Sequence, residues 1–116
     1  MDAPGPDETL DAIIGTWRVL QLAKGHRFST DDMVCAWRAA VARPDAARCL
    51  DLGCGVGSVA LQVLWRMPPT TTLVGVEVQG ISQALARRTV ALNGLQERMR
   101  VVHGDIRDPG VLPADA

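Results

Sequence analysis

The chain has 116 residues, which suits one domain of ordinary size and leaves no room for two. With 47% hydrophobic and 22% charged residues it can bury a core, which excludes disorder, collagen and coiled coil. Twelve Lys and Arg against thirteen Asp and Glu leave a net charge of −1, so no global basic field recruits nucleic acid or a membrane surface, and any such partner must be bound locally.

The three cysteines, Cys35, Cys49 and Cys54, are odd in number, lack metal-ligand spacing and sit in apolar surroundings. They read as reduced thiols of a cytoplasmic protein, with no disulfide and no zinc. No apolar run approaches the roughly 18 residues of a membrane span, and Met1 to Asp11 is acidic where a leader would be basic, so a soluble protein is expected.

In chain order, residues 1–16 are expected to be flexible or briefly helical. Met1 to Asp7 carries two prolines and a glycine and reads as a frayed tail, and Glu8 to Ile14 as a short helical turn. Residues 17–116 form the domain proper. Trp17 to Leu22 alternates as a strand would and ends at Lys24-Gly25. Ser29 or Thr30 caps a helix with Asp31 and Asp32 in its first turn; Met33, Val34, Trp37 and Val41 recur at helical spacing until Pro44. Arg48 to Leu52 is a short buried strand, Gly53 to Gly57 a glycine-rich turn, and Ser58 to Met67 a helix stopped by Pro68-Pro69. A second such strand spans Thr72 to Val78, a helix Ile81 to Leu92 with Asn93-Gly94 as a left-handed cap, and a third strand Met99 to His103. Strands alternating with helices in this way predict an α/β fold, a doubly wound parallel sheet of Rossmann-like type with right-handed crossovers.

Glycines at 53, 55 and 57 let the backbone turn sharply out of a strand and pass close to a ligand, where a Cβ would collide or forbid the needed φ. The loop opens a helix whose unpaired N–H groups suit an anionic group. A tight turn that only packs helix on strand explains the glycines as well. Glu77 adds weight, because it lies twenty residues past Gly57 at the end of the next strand, amid Val74, Val76 and Val78, which point the other way. A carboxylate at that place accepts hydrogen bonds from both hydroxyls of a nucleoside ribose.

A nicotinamide site usually reads Gly-x-Gly-x-x-Gly; here the third glycine falls one position early and Asp51 stands two residues before the first. The run Asp51-x-Gly53-x-Gly55-x-Gly57 resembles the signature loop of class I S-adenosylmethionine-dependent methyltransferases. The resemblance implies that Asp51 helps hold the cationic amino end of the methionine. It also implies that Asp105, with Ile106 beside it after the third strand, faces the exocyclic amine of adenine, although Gly104-Asp105 is equally a common turn. The run Gly25-His26-Arg27-Phe28-Ser29-Thr30-Asp31 is similar to the segment preceding this loop in bacterial adenine-N6 methyltransferases acting on valine tRNA. It implies that Thr30 and Asp31 lie near the methionine part, while an N-cap with its acidic first turn accounts for the same residues. His26 and Arg27 are more readily solvent-facing loop residues than phosphate contacts.

The family pattern departs after Asp105. Such enzymes carry a further strand ending in Asn/Asp-Pro-Pro-Tyr/Phe that holds the target amine, and no such tetrapeptide occurs here. Only three of the family's sheet strands are counted, and the first, central in a complete sheet, would be left as an edge. The expectation is therefore the cofactor-binding half of a longer enzyme, or a truncated gene product, with a class I fold cut off after the third strand. That enzyme would move a methyl group to an exocyclic amine, with adenine N6 in tRNA or another RNA as the expected acceptor, and no catalytic residue is assigned in this chain. A non-catalytic binding module and a nicotinamide-dependent oxidoreductase are the alternatives.

Overall fold

The computed structural model describes residues 3–114; Met1, Asp2, Asp115 and Ala116 lie outside the described residues, as does that part of the expected frayed tail. Eight elements follow in order: β1 (Glu8–Ile14), β2 (Trp17–Leu22), α1 (Thr30–Ala42), β3 (Arg48–Leu52), α2 (Ser58–Arg66), β4 (Thr72–Glu77), α3 (Gly80–Leu92) and β5 (Met99–His103). From residue 17 onward the elements fall where the periodicity placed them, within a residue or two at their ends.

Residues 3–16 differ from expectation. Glu8–Ile14 is a strand, not a helical turn, paired antiparallel with β2 from Glu8↔Leu22 to Ile14↔Trp17. Gly15 and Thr16 make the two-residue connection, with Gly15 at φ +53°, the left-handed conformation that short hairpin turns demand. The hairpin is then docked. Trp17 meets Trp65 of α2 edge to face at 4.9 Å, and a Cβ on Gly15 would land inside the Trp65 ring. The backbone of β2 is satisfied by α3: Leu20 N donates to Thr89 Oγ1 at 3.0 Å and Arg18 N to Asn93 Oδ1 at 2.9 Å, while Asn93 Nδ2 donates to Arg18 O at 2.7 Å. Residues 3–7 are tied down too, through Ala23 N to Asp7 O and Arg88 Nη2 to Ala3 O.

The second sheet is parallel, in the order β3-β4-β5. Because both crossovers step in the same direction, right-handed connections put α2 and α3 on one face. That face carries Leu73, Met99 and Val101, which with Leu61, Leu64, Ala86, Val90 and Val19 of β2 form the main core. A smaller cluster joins Ala36 and Ala40 of α1 to Val63 and Met67. The opposite face and the β3 edge are thinly covered: Leu50 and Leu52 are 46% and 52% exposed beside a fully buried Val76. No helix among the described residues is long and apolar enough to cross a membrane.

Candidate functional site

In open parallel sheets ligands bind beyond the carboxyl ends of the strands. The carboxyl ends of β3 and β4 here frame a cavity of about 340 Å³. Another hollow, lined by Thr72, Gln96, Arg98 and Arg100, lies at the opposite ends of the strands and has no loop of this kind.

The cavity floor is the loop 53–57. Gly53, Gly55 and Gly57 have φ of +77°, +57° and +93°, a conformation in which an L side chain is strained. A Cβ built on Gly53 or Gly55 meets no protein atom within 4 Å, so both positions open onto free space instead of packing a helix on a strand. Gly53 N and Cys54 N both donate to Val76 O, at 2.8 and 2.9 Å, which pins the turn to β4. Gly57 then starts α2, whose first residue, Ser58, lines the cavity.

Three carboxylates surround this space. Glu77, at the end of β4, is 8% exposed; its Oε1 accepts from Gly55 N and its Oε2 from Gln79 N, both at 2.9 Å. It therefore braces the glycine loop while each oxygen keeps a lone pair for a ligand. Asp51, one residue before the end of β3, has a buried Oδ2 with no hydrogen-bond partner. Burial, followed by the charges of Glu77 and Asp32, holds its carboxyl above the usual range. Asp32 is the residue that the sequence reading passed over. It is the third residue of α1, and its Oδ2 accepts from Ser29 N at 3.4 Å and from Ser58 Oγ at 3.0 Å, tying the first turn of α1 to the first turn of α2. The spacing from Ser29 to Asp32 is that of a capping box, which turns the acid back over the helix entrance and was the available signal.

Among the described residues, the donors to Glu77 and Asp32 are neutral and no Lys or Arg lines the cavity. No group of three His, Cys, Asp or Glu among the described residues lies close enough to hold a metal ion. Cys54, on the cavity wall, has its thiol pushed up to about 12 by burial and then by Asp51 and Glu77, which disfavours the thiolate.

The remaining candidates lie elsewhere. Thr30 and Asp31 are exposed on α1 and do not line the cavity; Phe28 and His26 do. Arg27 is neither a loose solvent-facing residue nor a phosphate contact, because its guanidinium donates to Thr9 Oγ1, Leu22 O and Asp11 Oδ2 and fastens the loop to the hairpin. Asp105 is outside the cavity and held by Arg107 in a two-pronged pair, with Nη2 to Oδ2 at 2.6 Å, while Ile106 is 56% exposed. That pair holds the Asp105 carboxyl below its usual range.

A strand, a glycine turn with three left-handed residues, a helix and an acid closing the next strand define a Rossmann-like nucleoside-binding class of domain. Residues 36–112, more than half of the chain, match the methyltransferase small domain, and the chain belongs to that family. It is 33% identical over 95 residues to a tRNA1(Val) (adenine(37)-N6)-methyltransferase of Porphyromonas gingivalis, covering 71% of this chain and 37% of that protein. It is 39% identical over 69 residues to a carboxy-S-adenosyl-L-methionine synthase of Chromohalobacter salexigens, covering 59% of this chain and 26% of that protein. In fold it resembles TYW2 of P. horikoshii, solved in complex with MeSAdo, at TM-score 0.71 and 18% identity over 94% of this chain and 39% of that one. The chain thus spans roughly a quarter to two fifths of the length of these relatives.

Proposed function

We propose that this chain is the cofactor-binding part of an S-adenosylmethionine-dependent methyltransferase that modifies an exocyclic amine, adenine N6 in tRNA being the favoured acceptor. The observation that carries the reading is a cavity lined by three acids and by no Lys or Arg, one of those acids being Asp51 with its buried, unpartnered Oδ2. A buried carboxylate without a donor requires one, and an ammonium group supplies both the hydrogen bond and the charge. S-adenosylmethionine fits that requirement, with an ammonium and a sulfonium at its methionyl end. NAD does not, since its pyrophosphate would bring anionic charge among three carboxylates.

When bound, the cofactor supplies an electrophilic methyl carbon. Glu77 receives the ribose hydroxyls on its remaining lone pairs, Asp51 the ammonium, and the N–H groups at the start of α2 the methionyl carboxylate. Asp105 can take the adenine amine only by sharing its carboxylate with Arg107. Thr30 and Asp31 are exposed on α1 and do not line the cavity, so they are assigned no direct contact with the cofactor. The chain contributes binding and proximity to the reaction, and the groups that hold the acceptor amine are assigned to the rest of the enzyme.

The likeness to a carboxy-S-adenosyl-L-methionine synthase suggests a cofactor bearing an extra carboxylate, but the uncompensated acids disfavour it. The tRNA acceptor rests on the Porphyromonas relative and on the Gly25 to Asp31 segment. A base in structured RNA must leave its stack to reach the methyl group. Calorimetry on the full-length protein should show S-adenosylmethionine or its demethylated product binding and no affinity for NAD; the reverse result would overturn the reading. Appearance of N6-methyladenine in tRNA incubated with protein and cofactor tests the acceptor.

A further inference from the structure

We infer that Asp32 makes this site charge-selective, so that it favours the cationic sulfonium cofactor over the neutral thioether product and thereby promotes product release. The inference rests on the cofactor reading above and deepens it. If Glu77 marks the ribose, Asp51 and Asp32 lie toward the methionyl end, because they extend from the β4 strand end across β3 to the first turn of α1. Both positive charges of the cofactor lie at that end. Methyl transfer removes one of them, so the ligand goes from net positive to neutral between the two states that the site must tell apart.

Asp32 suits this role better than a surface acid would. Both of its hydrogen bonds fall on Oδ2, from Ser29 N and Ser58 Oγ, so the carboxylate is held in place while Oδ1 has no protein partner among the described residues. Neither donor is charged, so no cation among these partners is paired with it. A second observation points to a ligand there: Asp51 Oδ2 is buried and unpartnered, and Asp51 feels the charge of Asp32. One ammonium satisfies Asp51, which leaves the charge of Asp32 to act on the sulfonium. Cofactor and product both keep the ammonium, which Asp51 holds, so what Asp32 adds for the cofactor alone is its attraction to the sulfonium.

The test is calorimetry on full-length protein and its Asp32→Asn variant with three ligands: S-adenosylmethionine, S-adenosylhomocysteine, and sinefungin, which keeps a cation where the sulfonium stood. Asn keeps an oxygen to accept from Ser58. The variant should bind both cationic ligands about tenfold more weakly and the thioether within about twofold, a tenfold change being the effect of about 1.4 kcal/mol of lost attraction. Equal losses for all three ligands would make Asp32 a structural brace only and overturn the inference while leaving the cofactor reading intact. Failure of the unsubstituted protein to bind any of the three would overturn both. Should the variant not fold, salt decides: raising NaCl must weaken the unsubstituted protein's hold on the two cations and spare the thioether, and an unchanged preference overturns the inference.

Discussion

Glu77 holds two backbone N–H groups of its own protein, those of Gly55 and Gln79, before any ligand arrives. Glu77→Ala therefore removes a brace and a ribose acceptor together. Hydrogen bonds to a charged acceptor are worth about 1.5–3 kcal/mol each before non-additivity, so cofactor affinity should fall at least about tenfold, and thermal stability should fall with it. Glu77→Gln keeps one acceptor for Gly55 and should restore most of the stability but not the affinity, as melting and calorimetry side by side would show. Asp51 behaves in the opposite sense. Its carboxyl is held above the ordinary range by burial, then by Glu77 and Asp32, so the folded state binds its proton more tightly than the unfolded state does. Its contribution to stability thus rises as pH falls through that raised value, and at neutral pH the charged form is a cost. Asp51→Asn should raise the melting temperature of the ligand-free protein at pH 7 and flatten this pH dependence, while weakening cofactor binding. Because a bound cation favours the ionised acid, affinity in the unsubstituted protein should decline as pH is lowered into the carboxyl range. A melting temperature unchanged by the substitution would show that Asp51 is not destabilised where it stands.

The elements are held in place by a few side chains that reach between them. The β1–β2 hairpin is too small to be stable alone and depends on packing against the helices. Asn93, just past α3, joins its helix end to Arg18 of β2 by two side-chain hydrogen bonds, Arg18 N to Oδ1 and Nδ2 to Arg18 O, while Nδ2 also donates to Thr89 O of its own helix. Asn93→Ala should cost about 2 kcal/mol in denaturant unfolding, since it leaves Arg18 N and Arg18 O without their side-chain partner. The glycine loop is far from this contact, so a loss of affinity much larger than the loss of stability would argue that the hairpin shapes the cofactor site directly. The first turn of α1 is secured on the other side, by Asp32 on Ser58 and by Arg27 on Asp11. Through these ties the segment from Gly25 to Asp32 becomes a wall of the cavity.

For the whole molecule the decisive feature is an asymmetry between the faces of the parallel sheet. One face is covered by α2, α3 and the hairpin; on the other, Leu50 and Leu52 are about half exposed on an edge strand that has no outer neighbour among the described residues. Met33, Val34, Trp37 and Val41 add an exposed apolar stripe on α1. Strands of parallel sheets are ordinarily paired on both sides and covered on both faces, and an open apolar edge templates pairing with another chain. Residues 1–116 alone should therefore sediment as oligomers or aggregates and transfer no methyl group to RNA. Leu52→Lys should shift the distribution toward monomer by placing a charge on the edge. A monodisperse monomer of the unsubstituted chain with one sharp unfolding transition would show that this edge is adequately shielded.

Local chemistry made much of this readable from the amino-acid order. Pro44 and Pro68-Pro69 stop helices by removing N–H donors, alternate glycines mark a turn that other residues resist, and strand and helix periods differ enough to place the six elements from α1 to β5. Glu77 and Asp51 were legible because their spacing from that turn places them at strand ends. Other features were decided only by the tertiary structure, because they depend on contacts between distant segments. The strand at Glu8–Ile14 has little pattern of its own and is held by β2, Trp65 and Arg88, residues far along the chain. Asp32 looked like an ordinary first-turn acid until Ser58, twenty-six residues on, gave its carboxylate a direction. Thr30 and Asp31 share its local setting yet point into solvent, since in a helix each step of one residue turns the side chain by about 100°. Helical sequence alone does not say which of three consecutive residues faces the cavity; the packing of α1 on α2 does.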